Sequence, residues 1–470
     1  MADVLLTHSN HLFFDPKQVK KMQQYPPLQT LIAASLLRER GYSVALFDAT
    51  FNAPGEGLKA AIEQHRPGLI VVSEDNFNFL TKMCLVRNRE VAFGYAEIAS
   101  AAGIPIVVNG SDSSDRAAEY LERGFDLVIV GELEETLIEM CDRGLGASRG
   151  LAGVWWLDPD GTVRRGAPRR PVPELGALPG PAWDLVDVSA YRNAWMEAHG
   201  YFSLNLVSSR GCPFRCNWCA KPIYGGTYRF HPPADVAREM SRIKREFDPG
   251  LIWFADDIFA LSRKWTADFA DAVERLDARV PFKMQSRCDL MTHDTVNDLR
   301  RAGCAEVWMG AESGSQKILD AMEKDIAVEE VGTACENLRA SGIRACLFLQ
   351  FGYPGETWSD IRRTIAMART VRPDDVGISV SYPLPNTRLY EMVRAQANGK
   401  TNWTDSGDLD VMFQGAYTTR FYRAVADALH LEVRTGQASA EEAWSAVAEL
   451  EPVSRNRVTE LPILSHAGAA

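Results

Sequence analysis

The sequence predicts an α/β protein with two successive runs of βα units and a small, mostly α C-terminal extension. Three observations predict it. Short β-branched runs alternate with helical periods five times over residues 1–145. The same rhythm returns six times over residues 201–395, and the stretch between is rich in proline. Strands separated by helices pair in parallel through right-handed crossovers. At 470 residues, 46% hydrophobic and 24% charged, the chain is long enough for two or three cores and has the composition of a soluble globular protein.

In the first domain, 1–145, strands are expected at 4–7, 44–47, 69–73, 106–109 and 127–130, with helical stretches at 28–40, 57–64, 91–102 and 113–123. Five strands in this rhythm predict a flavodoxin-like (Rossmann-type) doubly wound sheet, whose ligands bind beyond the carboxyl ends of the strands. The linker, 146–200, opens with two apolar runs around Asp160-Gly161, the pattern of a hairpin. Pro168 to Pro181 is then proline-rich and expected to be extended. Aromatic residues follow, among them Tyr191 and Trp195, read either as core or as the lining of a substrate cavity.

In the second domain, 201–395, strands are expected at 203–208, 251–255, 282–286, 305–310, 345–351 and 376–381. Polar and glycine-containing motifs fall at their carboxyl ends, where βα domains carry active groups. These are Asp256-Asp257, Ser286-Arg287, Gly310-Ala-Glu312, Gln350-Phe-Gly352 and Ser381-Tyr382. In the extension, 396–470, two helices are expected, the second over 441–450, with a frayed end over 461–470. Trp403 and Tyr417 there, and Tyr224 and Arg229 further upstream, are candidates for a substrate cavity, with core packing or a solvated loop as the alternative.

Net charge is −11 and the pI is near 5.4, which argues against a nucleic-acid-binding surface. No apolar run approaches the ~20 residues of a membrane span. The start, Met-Ala-Asp-Val-Leu-Leu-Thr, enters a strand without a basic region, so no signal peptide is expected. An odd count of nine cysteines points to a reducing cytoplasm rather than a disulfide framework.

Three of those cysteines form Ser209-Arg-Gly-Cys212-Pro-Phe-Arg-Cys216-Asn-Trp-Cys219, a C-x3-C-x2-C spacing directly after an expected strand. A structural zinc site would want a fourth ligand, commonly in a second C-x2-C pair, and the other six cysteines stand alone. Three thiolates this close can hold three irons of a [4Fe–4S] cluster, leaving the fourth open. The motif resembles the signature of the radical S-adenosyl-L-methionine (radical SAM) enzymes. That resemblance implies a partial (β/α)6 barrel for the second domain and a cluster whose open iron binds AdoMet. It also implies AdoMet contacts at Trp218, Asp256, Asp257, Ser286, Arg287, Glu312, Gln350, Gly352, Ser381 and Tyr382. Within that set Arg287 is the candidate fork donor to the AdoMet carboxylate, and Glu312 the acceptor for its ribose hydroxyls.

Tyr25-Pro26-Pro27-Leu28, Asn109-Gly110-Ser111 and Gly131-Glu132 resemble the loops of the cobalamin-binding domain fused to class B radical SAM enzymes. Cobalamin contacts are accordingly expected from Tyr25, Pro26, Leu28, Asn109, Gly110, Ser111, Gly131 and Glu132. Contacts are also expected from Ser73, Asp75, Asn76 and Phe77; the lower face of cobalt would lie near the loop after the third strand, Glu74 to Phe79, with Phe77, Phe79 or Asn76 packed under it. Gln29 and Asp112 depart from the family pattern, which has Gly and His there, and His8 and His11 are read as polar loop residues.

The implied activity is C-methylation of an unactivated carbon in a small molecule or natural product, by way of methylcobalamin and the 5′-deoxyadenosyl radical, with a flavodoxin or ferredoxin as electron donor. The alternatives are non-methylating cyclisation, ring contraction or rearrangement, and a cobalamin-binding sensor or carrier. A methylthiotransferase would need three ligands for a second cluster, and the first domain offers only Cys84 and Cys141.

Overall fold

The computed structural model describes residues 2–83 and 85–456 and divides the chain into two compact units. Cys84 and the expected frayed end over 461–470 lie outside the described residues. The first unit comprises 1–212, 221–256 and 402–408; the second comprises 213–220, 257–401 and 409–470.

The first unit is built on β1 (Val4–Thr7), β2 (Val44–Phe47), β3 (Leu69–Ser73), β4 (Ile106–Asn109), β5 (Leu127–Ile129), β6 (Val154–Leu157) and β7 (Val163–Arg165). They form one sheet in the order β2-β1-β3-β4-β5-β6-β7. The first five are parallel in the flavodoxin-like order. Here the structure extends the five-stranded expectation. The hairpin placed in the linker joins the sheet as β6, antiparallel to β5, and β7, antiparallel to β6, which keeps β5 from being an open edge.

The alternation along each strand feeds two cores. Leu5, Ile70, Val72, Ile106, Val108 and Val128 meet Tyr95 and Ala96 of the helix Val86–Ala102 on one face. Val4, Leu6, Val71, Val107, Leu127 and Ile129 meet Ala33 and Leu37 of the helix Leu28–Glu39 on the other. Both faces being apolar explains why these strands read as continuous hydrophobic runs.

The unit also contains β8 (Ser203–Leu206), β9 (Ser209–Arg210), β10 (Arg229–Phe230) and β11 (Leu251–Phe254). β8 and β11 are parallel, and β9 pairs antiparallel with β10, closing the segment that carries the cysteines. The expected boundary at 200/201 therefore falls inside this unit. Ser203 and Asn205 of β8 bond the loop before the helix Leu28–Glu39, through Tyr25 Oη at 3.2 Å and the Pro26 carbonyl at 3.0 Å.

The second unit carries β12 (Phe282–Ser286), β13 (Cys304–Glu312), β14 (Arg344–Phe351) and β15 (Asp375–Val380), parallel neighbours in that order. Helices Arg263–Arg275, His293–Ala302, Val328–Ala340 and Trp358–Val371 alternate with them. Helices Thr419–Thr435 and Glu441–Ser454 form the expected extension, and Arg434 of the first pairs with Asp375 of β15 at 3.1 Å. Among the described residues no helix is long and apolar enough to cross a membrane.

Candidate active site

The loops that follow β1 to β5 gather polar residues that the strands present and burial constrains. Asn109, at the end of β4, donates to the carbonyls of Ile129 (3.0 Å) and Gly131 (2.8 Å) and accepts from Asn76 (3.2 Å). One side chain thus fixes the loops after β3 and β5. Gly110 is required by close approach: a Cβ there would stand 2.7 Å from Glu74 Cγ. Ser73 Oγ, Asn76 Oδ1 and Ser111 Oγ are buried without a hydrogen-bond partner, an arrangement that an incoming polar ligand would relieve. Asp75 accepts from the Gln29 amide at 3.1 Å, and Leu28 is fully buried at the start of its helix. Asp112, in the position where the family carries histidine, is gripped by Arg89 (2.7 and 2.5 Å) and by Tyr120 (2.9 Å).

His8, read from sequence as a polar loop residue, is buried and hydrogen-bonded to Asp48 at 2.9 Å. Tyr191 donates to the same carboxylate at 2.7 Å. Burial works against the His8 imidazolium, but the hydrogen bond and charge of Asp48, with Glu74 and Asp75 nearby, hold its pKa above the usual value. Burial pushes the Glu74 carboxyl up to about 7 and that of Asp75 to about 6.

The three cysteines sit in the loop after β9. The division between units passes through it, with Cys212 in the first and Cys216 and Cys219 in the second. All three are half-buried, and none is in a disulfide. The other described cysteines are core groups: burial raises the thiol pKa of Cys141 to about 12, of Cys335 to about 11, and of Cys288, Cys304 and Cys346 further. Among the described residues no three His, Cys, Asp or Glu side chains close around a common metal position. The fit to a cluster therefore rests on the donor chemistry of the loop, three half-buried thiols at C-x3-C-x2-C spacing.

On the Cys212 side, Arg210 is completely buried. It donates to Glu134 at 2.7 Å, lies 3.6 Å from Glu132, and stacks over the rings of Phe77 and Tyr224. Arg229 pairs with Glu132 and donates to the Val172 carbonyl at 2.7 Å. Tyr224 donates to Gln29 at 2.6 Å and stacks on Phe77 at 5.2 Å. Glu132, Phe77, Tyr224 and Arg229, nominated separately for cobalamin or substrate, are thus one buried network around Arg210. Asp256 accepts from the Ser208 amide (3.1 Å), Ser208 Oγ (2.6 Å) and Ser209 Oγ (2.5 Å), so it pins the entry to the loop.

On the Cys216 side, Asn217 is the anchor. Its amide donates to Met322 O (3.0 Å), its Nδ2 to Ala321 O (2.7 Å), and its Oδ1 accepts from Tyr353 (2.9 Å). Trp218 Nε1 is buried without a partner. Arg287 is bonded to Asp289 and to the carbonyls of Lys324 (2.9 Å) and Asp325 (2.8 Å), and its guanidinium lies 3.7 Å over the Phe214 ring. Glu312 accepts from Lys324 at 2.8 Å. Ser286 donates to Phe259 O and Gln350 to Ser381, each at 2.8 Å. Tyr382 is buried and Asp257 half-buried. Gly352 adopts φ 78°, and its amide donates to Glu356 at 2.6 Å. Burial pushes the Glu356 carboxyl up to about 8.

The remaining cavity candidates also have internal partners. Trp195 donates to Gln24 O at 2.7 Å, Trp403 accepts from the Val86 amide at 2.9 Å, and Tyr417 donates to Glu451 at 2.6 Å. Sequence reasoning missed Arg210, Asn217, Lys324 and Glu356 as site residues. The first two lie within the cysteine motif itself, and Glu356 closes the Gly352-Tyr-Pro-Gly355-Glu356 turn.

Residues 206–368 match the Radical SAM superfamily. An uncharacterized methyltransferase of Pyrococcus horikoshii is 29% identical over 57% of this chain and 57% of its own length. The anaerobic magnesium-protoporphyrin IX monomethyl ester cyclase of Rubrivivax gelatinosus is 24% identical over 78% of this chain and 66% of its own length. The chain thus spans less than two thirds of the length of these relatives. Among solved structures, the radical S-adenosylmethionine methyltransferase TsrM of Kitasatospora setae, with cobalamin and a [4Fe-4S] cluster bound, superimposes with a TM-score of 0.67 at 18% identity, over 87% of this chain and 83% of that one. The cobalamin-dependent S-adenosylmethionine radical enzyme OxsB superimposes with a TM-score of 0.71 at 16% identity, over 91% of this chain and 66% of that one. The chain thus carries a radical SAM domain over residues 206–368. Its fold is the one seen in the cobalamin-dependent members.

Proposed function

We propose that this protein is a cobalamin-dependent radical SAM enzyme that methylates an unactivated carbon of a small molecule. The observation that carries the reading is the cysteine loop: three half-buried thiols outside any disulfide at C-x3-C-x2-C spacing, in a chain whose other described cysteines are held protonated by burial. When bound, a [4Fe–4S] cluster, AdoMet and cobalamin would supply the low-potential electron, the hydrogen-abstracting radical and the methyl carrier. The chain's own residues hold and orient. Cys212, Cys216 and Cys219 would ligate the cluster, with Arg210 and Asp256 fixing one flank of the loop and Asn217 the other. Trp218 and the strand ends at Glu312, Gln350, Gly352 and Ser381 are the AdoMet candidates. Ser73, Asn76 and Ser111 keep unspent hydrogen bonds for the polar periphery of a corrin, and bare Gly110 leaves room for it. A small-molecule substrate and a flavodoxin- or ferredoxin-type donor complete the proposed reaction.

The likeness to a cyclase over 78% of the chain supports a second reading, oxidative cyclisation without methyl transfer. Anaerobic reconstitution with iron, sulfide and hydroxocobalamin, followed by reduction with methyl-deuterated AdoMet, separates the two. Labelled methyl on the bound cobalamin, with 5′-deoxyadenosine that disappears in Cys216→Ala, is the expected result. Cluster-dependent 5′-deoxyadenosine beside cobalamin that never takes the label would favour cyclisation, and no retained cobalamin would overturn the reading of the first unit.

A further inference from the structure

Lys324 was not among the residues the sequence singled out, yet it organises the Cys216 flank. Its Nζ donates to Glu312 at 2.8 Å, and both side chains are buried, 7% and 6% exposed. Its carbonyl accepts from Arg287, whose guanidinium covers Phe214, two residues before Cys216. The carbonyls of Ala321 and Met322, on the turn leading to Lys324, hold Asn217, the residue after Cys216. The chain on either side of Cys216, at Phe214 and at Asn217, is therefore tied to the turn that carries this ammonium.

The pair occupies a prepared space. A Cβ at Gly310 would stand 2.6 Å from Lys324 Nζ and 2.6 Å from Glu312 Oε1. Glu312 itself sits at φ 58°, a left-handed conformation that is strained for a residue with a side chain. Such strain persists where the surroundings require it. Burial works against the Lys324 ammonium, and the Glu312 carboxylate and the Cys216 sulfur outweigh it, keeping its pKa above the ordinary lysine value.

We propose that Lys324 and Glu312 act as an opposed pair of charges that sets the reduction potential of the cluster held at Cys216. The inference rests on Cys216 as a cluster ligand, as in the proposed function. Reduction adds one negative charge to a cluster. A buried ammonium beside it favours the reduced form and a buried carboxylate disfavours it, because screening there is weak. Removing Lys324 both deletes the cation and unmasks Glu312, whereas removing the Glu312 charge unmasks Lys324. The two substitutions act in opposite directions, which a merely structural role would not produce.

The test is an anaerobic redox titration of the reconstituted full chain, without AdoMet, followed by electron paramagnetic resonance, with iron counted in each sample. At the wild-type midpoint, Lys324→Met is expected to lower the ratio of reduced to oxidised cluster about tenfold, equivalent to ~59 mV for a one-electron couple. Glu312→Gln is expected to raise it by a similar factor, and Lys324→Arg to leave it near wild type. Full iron with midpoints that do not move, or that move the same way in Lys324→Met and Glu312→Gln, overturns the proposal. Should Lys324→Met fail to hold a cluster, Glu312→Gln against Lys324→Arg decides: a rise in the first alone supports the proposal, and equal midpoints overturn it. A wild type that binds no more iron than Cys216→Ala overturns the functional reading, a failure distinct from unchanged midpoints.

Discussion

The two flanks of the cysteine loop are held by different physics. Before Cys212 the chain is fixed by buried charge: Arg210 sits with no exposed surface between Glu134, Glu132 and two aromatic rings. After Cys216 it is fixed by neutral hydrogen bonds, Asn217 reading the carbonyls of Ala321 and Met322 and accepting from Tyr353. Charge in a dry site is unforgiving, because deleting one partner leaves the other uncompensated, whereas a broken neutral bond costs only the desolvation of one group. The first flank should therefore report on the stability of a whole unit and the second on the loop alone.

The largest effect is expected from Arg210→Met, which leaves buried Glu134 without its cation and Glu132 with Arg229 alone. A loss of about 3–5 kcal/mol in the denaturant unfolding of the first unit is expected, and a loss under about 1 kcal/mol would break the comparison. Next comes Gly211→Ala. Gly211 has φ 79° and a Cβ would stand 2.4 Å from the Thr227 carbonyl, so about 2 kcal/mol of strain and reduced iron retention are expected. Asn217→Ala should cost about 1–3 kcal/mol and show itself as faster proteolysis of the loop with little change in the unfolding of the first unit. An equal loss in that unit would mean the flanks do not differ.

A separate effect concerns pH. The Glu356 carboxyl ordinarily titrates near 4.5, and burial lifts it to about 8 in the folded chain. Between those values the unfolded chain releases the proton and the folded chain keeps it, so stability falls as pH rises from 4.5 to 8. Glu356→Gln keeps a neutral group of the same shape and should flatten that slope. A variant slope as steep as wild type in thermal melts across the window would show that Glu356 is not the group responsible.

Much of the scaffold was legible because parallel strands buried on both faces must be apolar throughout, and β1 to β4 begin and end where their β-branched runs do. What the sequence did not disclose were pairings. The hairpin around Asp160-Gly161 was visible as a hairpin, but its attachment to β5 depends on an edge that only the assembled sheet has. Arg287 and Glu312 were nominated as separate ligand contacts, whereas Lys324 links them, through its carbonyl to one and its ammonium to the other. Spacing marks a residue type at a strand end; it does not say which partner already holds it.

One segment belongs to the first unit although it lies far downstream. Asn402 accepts from Arg89 and Arg116, each at 2.7 Å, the Trp403 carbonyl accepts from the Val86 amide, and the Ser406 amide donates to Asp15 at 2.9 Å. The sheet of that unit is complete by residue 165, yet its last wall is delivered by residues 402–408. During synthesis, then, the nascent first unit emerges with Arg89 and Asp15 uncovered and stays unfinished until most of the second unit has left the ribosome. Expressing 1–256 by itself would freeze the protein in that interim condition.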